Sequence, residues 1–374
     1  MILRQILYVL SLSVLMPFPD APADEVPRVV ASILPVHSLV SGVMRGVGTP
    51  SLIVRGYGSP HTYRIRPSDA VKLHNADLVF WIGDALESFL RKPLSSLPKP
   101  VRAVSLMETD GLTLLKNREG GLWEHHHRTS RTEPARLPGT GHGNFVSPLQ
   151  EHPGETDRHT TLAATETYRR LGYNPHIWLD PKNAEQLVRT IAHHLSELDP
   201  VHEARYKINA SDLLQRMEDL AERLRKQLSG LTSAPYLVFH DAYPYLETRY
   251  GLQAVGTVTA APDTMPSARR IAELRSAIER LNIRCIFREP QFDAKVIEVA
   301  LGDANITWPV TIRVLDPLGV GITPGPGLWF DVMENHARAM ADCLGPTAGR
   351  MENAPSTSTT PVRREYLAQQ PAAN

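Results

Sequence analysis

Short apolar runs alternate with stretches of three-and-four spacing along most of the chain, and this alternation predicts a β–α–β series. Residues 28–33, 51–54, 77–82 and 101–105 are apolar runs of strand length. Between them, residues 36–44 and a segment opened by Pro67 and running through Leu73 carry helical spacing. Runs this short and this continuously apolar suit strands buried on both faces, which is the environment of a parallel sheet covered by helices.

The rhythm stops near residue 117 and resumes near residue 177 with Ile-Trp-Leu-Asp. The intervening stretch, about 117–170, is polar and rich in Gly, Pro, Thr and His, with no sustained period. A segment of that length without periodicity is either functional or disordered. Pro181 then opens a helix expected to end near Leu198. Residues 201–228 form one long amphipathic pattern, with Leu213, Leu214, Met217, Leu220, Ala221, Leu224 and Leu228 on one face and the Glu222/Lys226 pair on the other. At 1.5 Å per residue such a helix spans roughly 40 Å, enough to bridge two domains.

A second β–α series follows. Strands are expected at 236–239, 253–258, 283–287 and 311–315, and helices up to 250 and at 266–281, 294–301 and 327–343. The fold class expected is therefore α/β. Two lobes, each a mostly parallel sheet flanked by helices, are joined by one long helix. The boundaries are 24–198 for the first lobe with its insertion, 199–230 for the bridging helix and 231–345 for the second lobe. Residues 346–374, rich in Pro, Ser, Thr and Ala, read as a disordered tail.

The N-terminus changes the compartment. Arg4 precedes an apolar run over residues 6–18, and Ala21-Pro22-Ala23 supplies a small-residue cleavage pattern. Residues 1–23 thus read as a secretory signal, too short to cross a bilayer easily. A buried N-terminal strand or helix is the competing reading, disfavoured by Pro19 and Pro22. No Cys follows the run, so no lipid anchor is expected. In an exported protein Cys285 and Cys343, the only cysteines, have one intramolecular pairing open to them, a bridge or else two buried thiols. Lys and Arg total 40, as do Asp and Glu, so the balance of charge favours neither nucleic acid nor an anionic membrane as partner.

With 15 His against 2 Cys, any metal chemistry rests on imidazole and carboxylate. His125, His126, His127, His142, His152 and His159 crowd into the insertion. That tract suits weak, reversible binding of divalent zinc, copper or nickel, or serves as a solubilising polar loop. His61 follows the 51–54 strand across a glycine-containing loop, His176 borders the apolar run 177–179, and His240 closes the 236–239 run. In open α/β sheets ligands gather at the carboxyl ends of strands, so these three could share one ion between the lobes. Asp316, at the end of the 311–315 run, could add a carboxylate to complete a tetrahedral zinc shell. Each histidine taken singly could equally be a hydrogen-bonded cap. His37, His74, His193, His194, His202 and His336 fall within helical patterns and read as structural or surface residues.

Seven motifs now appear in order: Gly58-Ser-Pro-His-Thr-Tyr63, Arg66-Pro-Ser-Asp69, Asn75-Ala-Asp-Leu78, Asn174-Pro-His-Ile-Trp-Leu-Asp-Pro181, Phe239-His-Asp-Ala-Tyr243, Arg288-Glu-Pro-Gln-Phe292 and Leu315-Asp-Pro-Leu-Gly319. Together they resemble the solute-binding proteins of bacterial zinc-uptake ABC transporters, in the zinc/manganese cluster, from about Val29 to Leu344. The resemblance implies two lobes on a rigid helix, a periplasmic monomer, Zn2+ as ligand, and delivery to an inner-membrane ABC permease with its ATPase. It places the metal ligands at His61, His176 and His240, the acidic ligand of many relatives at Asp316, and a disulfide at Cys285–Cys343. Manganese-type relatives carry Glu where this chain has His240, and imidazole suits zinc better than manganese. Some zinc members place a Glu just before the first ligand; here that position is Pro60.

Two other functions compete. A zinc hydrolase also uses three histidines and an oxygen position, with Glu289 as the candidate base, but the chain has no His-Glu-x-x-His or Gly-x-Ser-x-Gly sequence. A surface adhesin on the same fold is disfavoured by the missing anchor cysteine.

Overall fold

The computed structural model describes residues 26–97, 101–123, 172–259, 266–293, 295–302 and 308–345. The leader over 1–23, the six insertion histidines and the 346–374 tail lie outside the described residues.

The apolar runs form two four-stranded parallel sheets. The first contains β1 (Val29–Ala31), β2 (Ser51–Leu52), β3 (Leu78–Trp81) and β4 (Arg102–Ser105), in the order β2-β1-β3-β4. The second contains β5 (Tyr236–Val238), β6 (Ala254–Thr257), β7 (Cys285–Arg288) and β8 (Thr311–Val314), in the order β6-β5-β7-β8. Val30 lies opposite both Ser51 and Val79, and Leu237 opposite Ile286, so β1 and β5 are interior strands and wholly buried. Burial on both faces is why their sequences are continuously apolar rather than alternating. Each sheet reverses direction of growth beside its first strand, which makes the carboxyl ends of β1/β3 and β5/β7 natural ligand crevices.

Helices α1 (Leu34–Val43), α2 (Pro67–His74) and α3 (Arg91–Ser95) belong to the first half, and α4 (Pro181–Leu198) follows the insertion. Asp180 caps α4 by accepting from the Lys182 amide at 2.9 Å, with Pro181 at the first helical position, an arrangement that satisfies an otherwise orphaned donor. The short α3 was not expected from the pattern. The run Ile177–Leu179 is a 3-10 turn rather than a strand, so His176 is held by a tight turn.

The long helix α5 (Glu203–Leu228) begins after a separate 3-10 turn, Pro200–His202. Leu213, Met217, Leu220, Leu224 and Leu228 are buried as their spacing requires, joined by Tyr206, Asn209 and Ala210, while Glu222 pairs with Lys226 at 3.5 Å on the exposed side. Helices α6 (Pro244–Tyr250), α7 (Ala268–Leu281), α8 (Lys295–Gly302) and α9 (Leu328–Leu344) complete the second half.

The two halves share one continuous core that also includes α5 and α9. The Trp329 amide donates to Ser38 Oγ at 3.0 Å, its indole donates to the Trp178 carbonyl at 2.9 Å, and Trp178 donates to the Pro317 carbonyl at 2.8 Å. Arg249 grips Asp180 through Nε and Nη2 at 2.8 and 2.6 Å. These bonds tie α9, α6 and the 315–318 turn to the first half, and the tryptophan bonds lie among buried groups, where hydrogen bonds are costly to break. Cys285 and Cys343 are bridged, with Cα atoms 5.9 Å apart, pinning α9 to β7.

At the outer edge of the second sheet, the Thr257 amide donates to the Leu122 carbonyl at 3.0 Å. Leu122 approaches β6 so closely that a side chain at Gly256 would collide with its Cβ. The segment leading into the insertion therefore docks on the second lobe before residue 124.

Candidate metal centre

Three loops converge at the mouth of the two sheets. His61 comes from the loop after β2, His176 immediately precedes the 177–179 turn, and His240 lies two residues beyond β5. Their ring centroids are 5.5 Å (His61–His176), 5.3 Å (His61–His240) and 5.0 Å (His176–His240) apart. One donor atom from each lies within 4.8 Å of the others.

The orientation of the rings is set from behind. His176 Nδ1 is 3.0 Å from Asn174 Oδ1, and the same oxygen accepts the His176 backbone amide at 3.0 Å. An amide oxygen only accepts, so His176 carries its proton on Nδ1 and presents a lone pair on Nε2. Pro175 holds the backbone between them, which makes Asn174 a local clamp of the Asx-turn kind. His240 Nδ1 lies 2.5 Å from Glu289 Oε1. Glu289 follows β7 directly, the neighbour of β5, and is 1% exposed. An ionised Glu289 accepts the Nδ1 proton and turns the Nε2 lone pair of His240 forward.

The consequence is electrostatic. Nε2 of His240 and Nε2 of His176 are 3.2 Å apart; with each ring carrying only its Nδ1 proton, both are lone pairs. His61 Nε2 is buried with no hydrogen-bond partner. Facing lone pairs repel unless a cation lies between them. Zn–N bonds of about 2.0–2.1 Å in a tetrahedron place neighbouring nitrogens about 3.3–3.4 Å apart, close to the separation found here. The rings border a cavity of about 10 Å³ closed by Pro60, Phe292, Pro317 and Leu318, the size of one water or ion.

Burial sets the charge state. Desolvation, helped by the neighbouring His240, pushes His61 down to about 3. Desolvation, with His240 and His61 nearby, also holds His176 well below the usual imidazole range. His61 and His176 are thus neutral, ligand-competent bases at neutral pH. Glu289 is raised by burial, an effect opposed by His240.

Asp316 stands apart from this group. Its Oδ1 accepts from Gln291 Nε2 at 2.8 Å and from the Leu318 amide at 3.0 Å, and its Oδ2 accepts from the Val320 amide at 2.6 Å. The carboxylate expected to complete the shell is here spent on organising the 316–320 loop. Glu289, the candidate hydrolytic base, instead supports His240 from the far side of the ring. Among the described residues, His193, His194 and Glu197 form the other group with converging donors.

Asn174 and Arg118 were not singled out from sequence. Asn174 Nδ2 donates to the Asp241 carbonyl at 2.6 Å, joining the loops that carry His176 and His240. Arg118, at the root of the insertion, donates through Nε to Asp241 at 3.0 Å and through Nη1 to Glu247 at 2.5 Å, with its guanidinium 3.5 Å from the Trp123 ring centroid. The Asn two positions before a histidine, with Pro between, was the local signal for the first. Nothing local marked the second.

Residues 29–343 match the family model described as zinc-uptake complex component A, periplasmic. The chain is 38% identical over 328 residues to the high-affinity zinc uptake system protein ZnuA of Brucella abortus (strain 2308), covering 86% of this chain and 93% of that one. It is 32% identical over 321 residues to the protein of the same name from Paracoccus denitrificans (strain Pd 1222), covering 86% and 93%. Among solved structures, a crystal structure of ZnuA superposes with a TM-score of 0.64 at 22% identity, covering 86% of this chain and all of that one. The periplasmic zinc-binding protein TroA from Treponema pallidum gives 0.63 at 18% identity, covering 85% and 99%. The first two matches establish kinship and the structural ones establish the fold: the chain belongs to the periplasmic component A family of zinc-uptake complexes.

Proposed function

We propose that this protein captures Zn2+ in the periplasm and delivers it to an inner-membrane ABC permease, with its ATPase, for import. The observation that carries the reading is the 3.2 Å approach of two buried imidazole nitrogens, with a third ring nitrogen left unpartnered beside them. Such a cluster is stable when a cation neutralises it. Zinc is the ion that three imidazoles favour, whereas manganese calls for harder oxygen donors. The relatives named as zinc uptake proteins support the same choice.

In this reading His61, His176 and His240 supply three ligands. The fourth is Asp316, once its carboxylate gives up Gln291 and the loop amides, or water, or a histidine of the insertion. Glu289 and Asn174 fix the tautomers, so little reorganisation is needed on loading. The insertion histidines 125, 126, 127, 142, 152 and 159 act as a weaker accessory collector. Residues 1–23 direct export, the mature chain works as an unanchored monomer, and its action is binding without turnover. Among the described residues no helix is long and apolar enough to cross a membrane. The cavity of about 10 Å³ beside the rings fits a single ion.

Calorimetric titration of the purified chain tests the reading. Single changes His61→Ala, His176→Ala and His240→Ala should each weaken zinc binding at least a hundredfold, while deletion of residues 124–171 should leave the tightest site within a few-fold. A triple variant that still binds zinc as tightly as the parent would overturn it.

A further inference from the structure

We infer that His193, His194 and Glu197 form a second, independent site for a zinc-type divalent cation on the surface of α4, gated by Arg102. The sequence reading assigned these histidines a structural or surface role, and the cleft makes no use of them. The site is remote: α4 begins at Pro181, beside His176, and His193 lies about 20 Å further along the helix at 1.5 Å per residue.

The geometry is that of a cation site. His193 Nε2 is 3.4 Å from Glu197 Oε1, and His194 Nδ1 is 3.5 Å from Glu197 Oε2. One donor atom from each of the three residues lies within 4.8 Å of the others, near enough for modest side-chain rotation to bring them onto one ion. His193 and Glu197 stand one helical turn apart, so no backbone change is needed to bring them onto one ion. The His194 ring is only 24% exposed and packs on Phe80, with centroids 6.4 Å apart, which limits its rotamers before any ion arrives. All three residues lie near the end of α4, which closes at Leu198. The helix dipole presents its negative pole there and favours a bound cation.

Arg102, on β4, shows that a cation is welcome. Its Nη1 donates to Glu197 Oε2 at 2.6 Å and sits 3.4 Å from His194 Nδ1. A guanidinium has only donors, so His194 Nδ1 faces it as a lone pair. The guanidinium therefore takes up positive charge at the point where the carboxylate and the imidazole meet. A divalent ion competes for the same two atoms, and His193, which the guanidinium does not engage, gives the ion a third. Arg102 must swing out, and its side chain is half exposed and free to do so. Two imidazoles and a carboxylate suit zinc, copper or nickel over calcium or magnesium. Exposure and the competition with Arg102 keep the site weaker than the buried triad.

Zinc stoichiometry of the full chain, measured by competition with a chromophoric chelator, tests this. The variant His193→Gln/His194→Gln should bind one ion fewer than the parent while its tightest site is unchanged. Arg102→Ala should tighten that weaker ion at least threefold, because it frees Glu197 and removes a competing charge. These residues lie outside the cleft, so failure here leaves the triad untouched. An unchanged count in the double variant overturns the site, and an Arg102→Ala protein that binds the weaker ion no better overturns the gating.

Discussion

Replacing Glu289 by Gln removes a charge from behind His240 but keeps an oxygen that can accept the Nδ1 proton. Glu289 is 1% exposed and lies 2.5 Å from that nitrogen, so its hydrogen bond is charge-assisted and water does not compete for it. Such bonds contribute about 1.5–3 kcal/mol against about 0.5–1.5 kcal/mol for neutral ones. The difference, about 1–1.5 kcal/mol, corresponds to roughly a tenfold loss of zinc affinity in Glu289→Gln. Glu289→Ala also loses the orientation of the ring and should fall about a hundredfold, the upper end for groups that support metal ligands. Chelator competition at pH 7 measures both. The same change relieves a buried carboxylate, so the zinc-free protein should melt no lower than the parent, while the rise in melting temperature on adding zinc shrinks. A Glu289→Gln affinity within twofold of the parent would refute the supporting role of the carboxylate. A Glu289→Gln loss as large as that of His240→Ala would contradict it from the other side, giving Glu289 the weight of a ligand.

Other consequences concern stability. His336 is buried, and burial pushes it down to about 4 against a smaller opposing effect of the Asp316 backbone. An unfolded His takes up its proton near 6.5, so this stability is present above about pH 6.5 and lost as pH falls toward 4, about 3 kcal/mol in all. His336→Leu should retain or raise stability at pH 7 and flatten the decline on acidification, read by denaturant titration at pH 7 and pH 4.5; an unaltered slope would contradict the burial argument. The Cys285–Cys343 bridge spans 58 positions, and Cys285→Ser/Cys343→Ser should cost about 4 kcal/mol in the chain-entropy account; a loss below 1 kcal/mol would contradict it. Leu220, fully buried on the long helix, should cost about 2–5 kcal/mol on change to Ala, through the cavity left in the shared core.

The parts legible in the sequence are those that local patterning controls. The apolar runs marked all eight strands, Asp180-Pro181 marked the start of α4, and the leucine spacing marked the buried face of α5. His61 and His240 stood out because loops at strand ends collect ligands in open sheets, and His176 joined them as a histidine at the edge of an apolar run. What stayed hidden depends on tertiary neighbours. Ile177–Leu179 is as apolar as a strand, yet a tight turn wins because Trp178 and Asp180 are claimed by Pro317 and Arg249 of the other half. Asp316 is a candidate fourth ligand, and that its carboxylate also holds Gln291 and two loop amides follows from a loop path that composition does not reveal. Arg118 read as one polar residue in a polar stretch, but it joins the root of the insertion to Asp241, the neighbour of His240. The continuity of one core across both sheets was equally invisible, because it rests on α9 returning to pack against α1 and α5.

The central claim is that imidazoles from both halves hold a single ion. Anomalous diffraction at the zinc edge, from crystals of the zinc-loaded chain, measures this most directly. The account predicts a dominant peak within about 2.0–2.1 Å of Nε2 of His61, His176 and His240 together. A dominant peak elsewhere, or one reached by fewer than three of these rings, would contradict it.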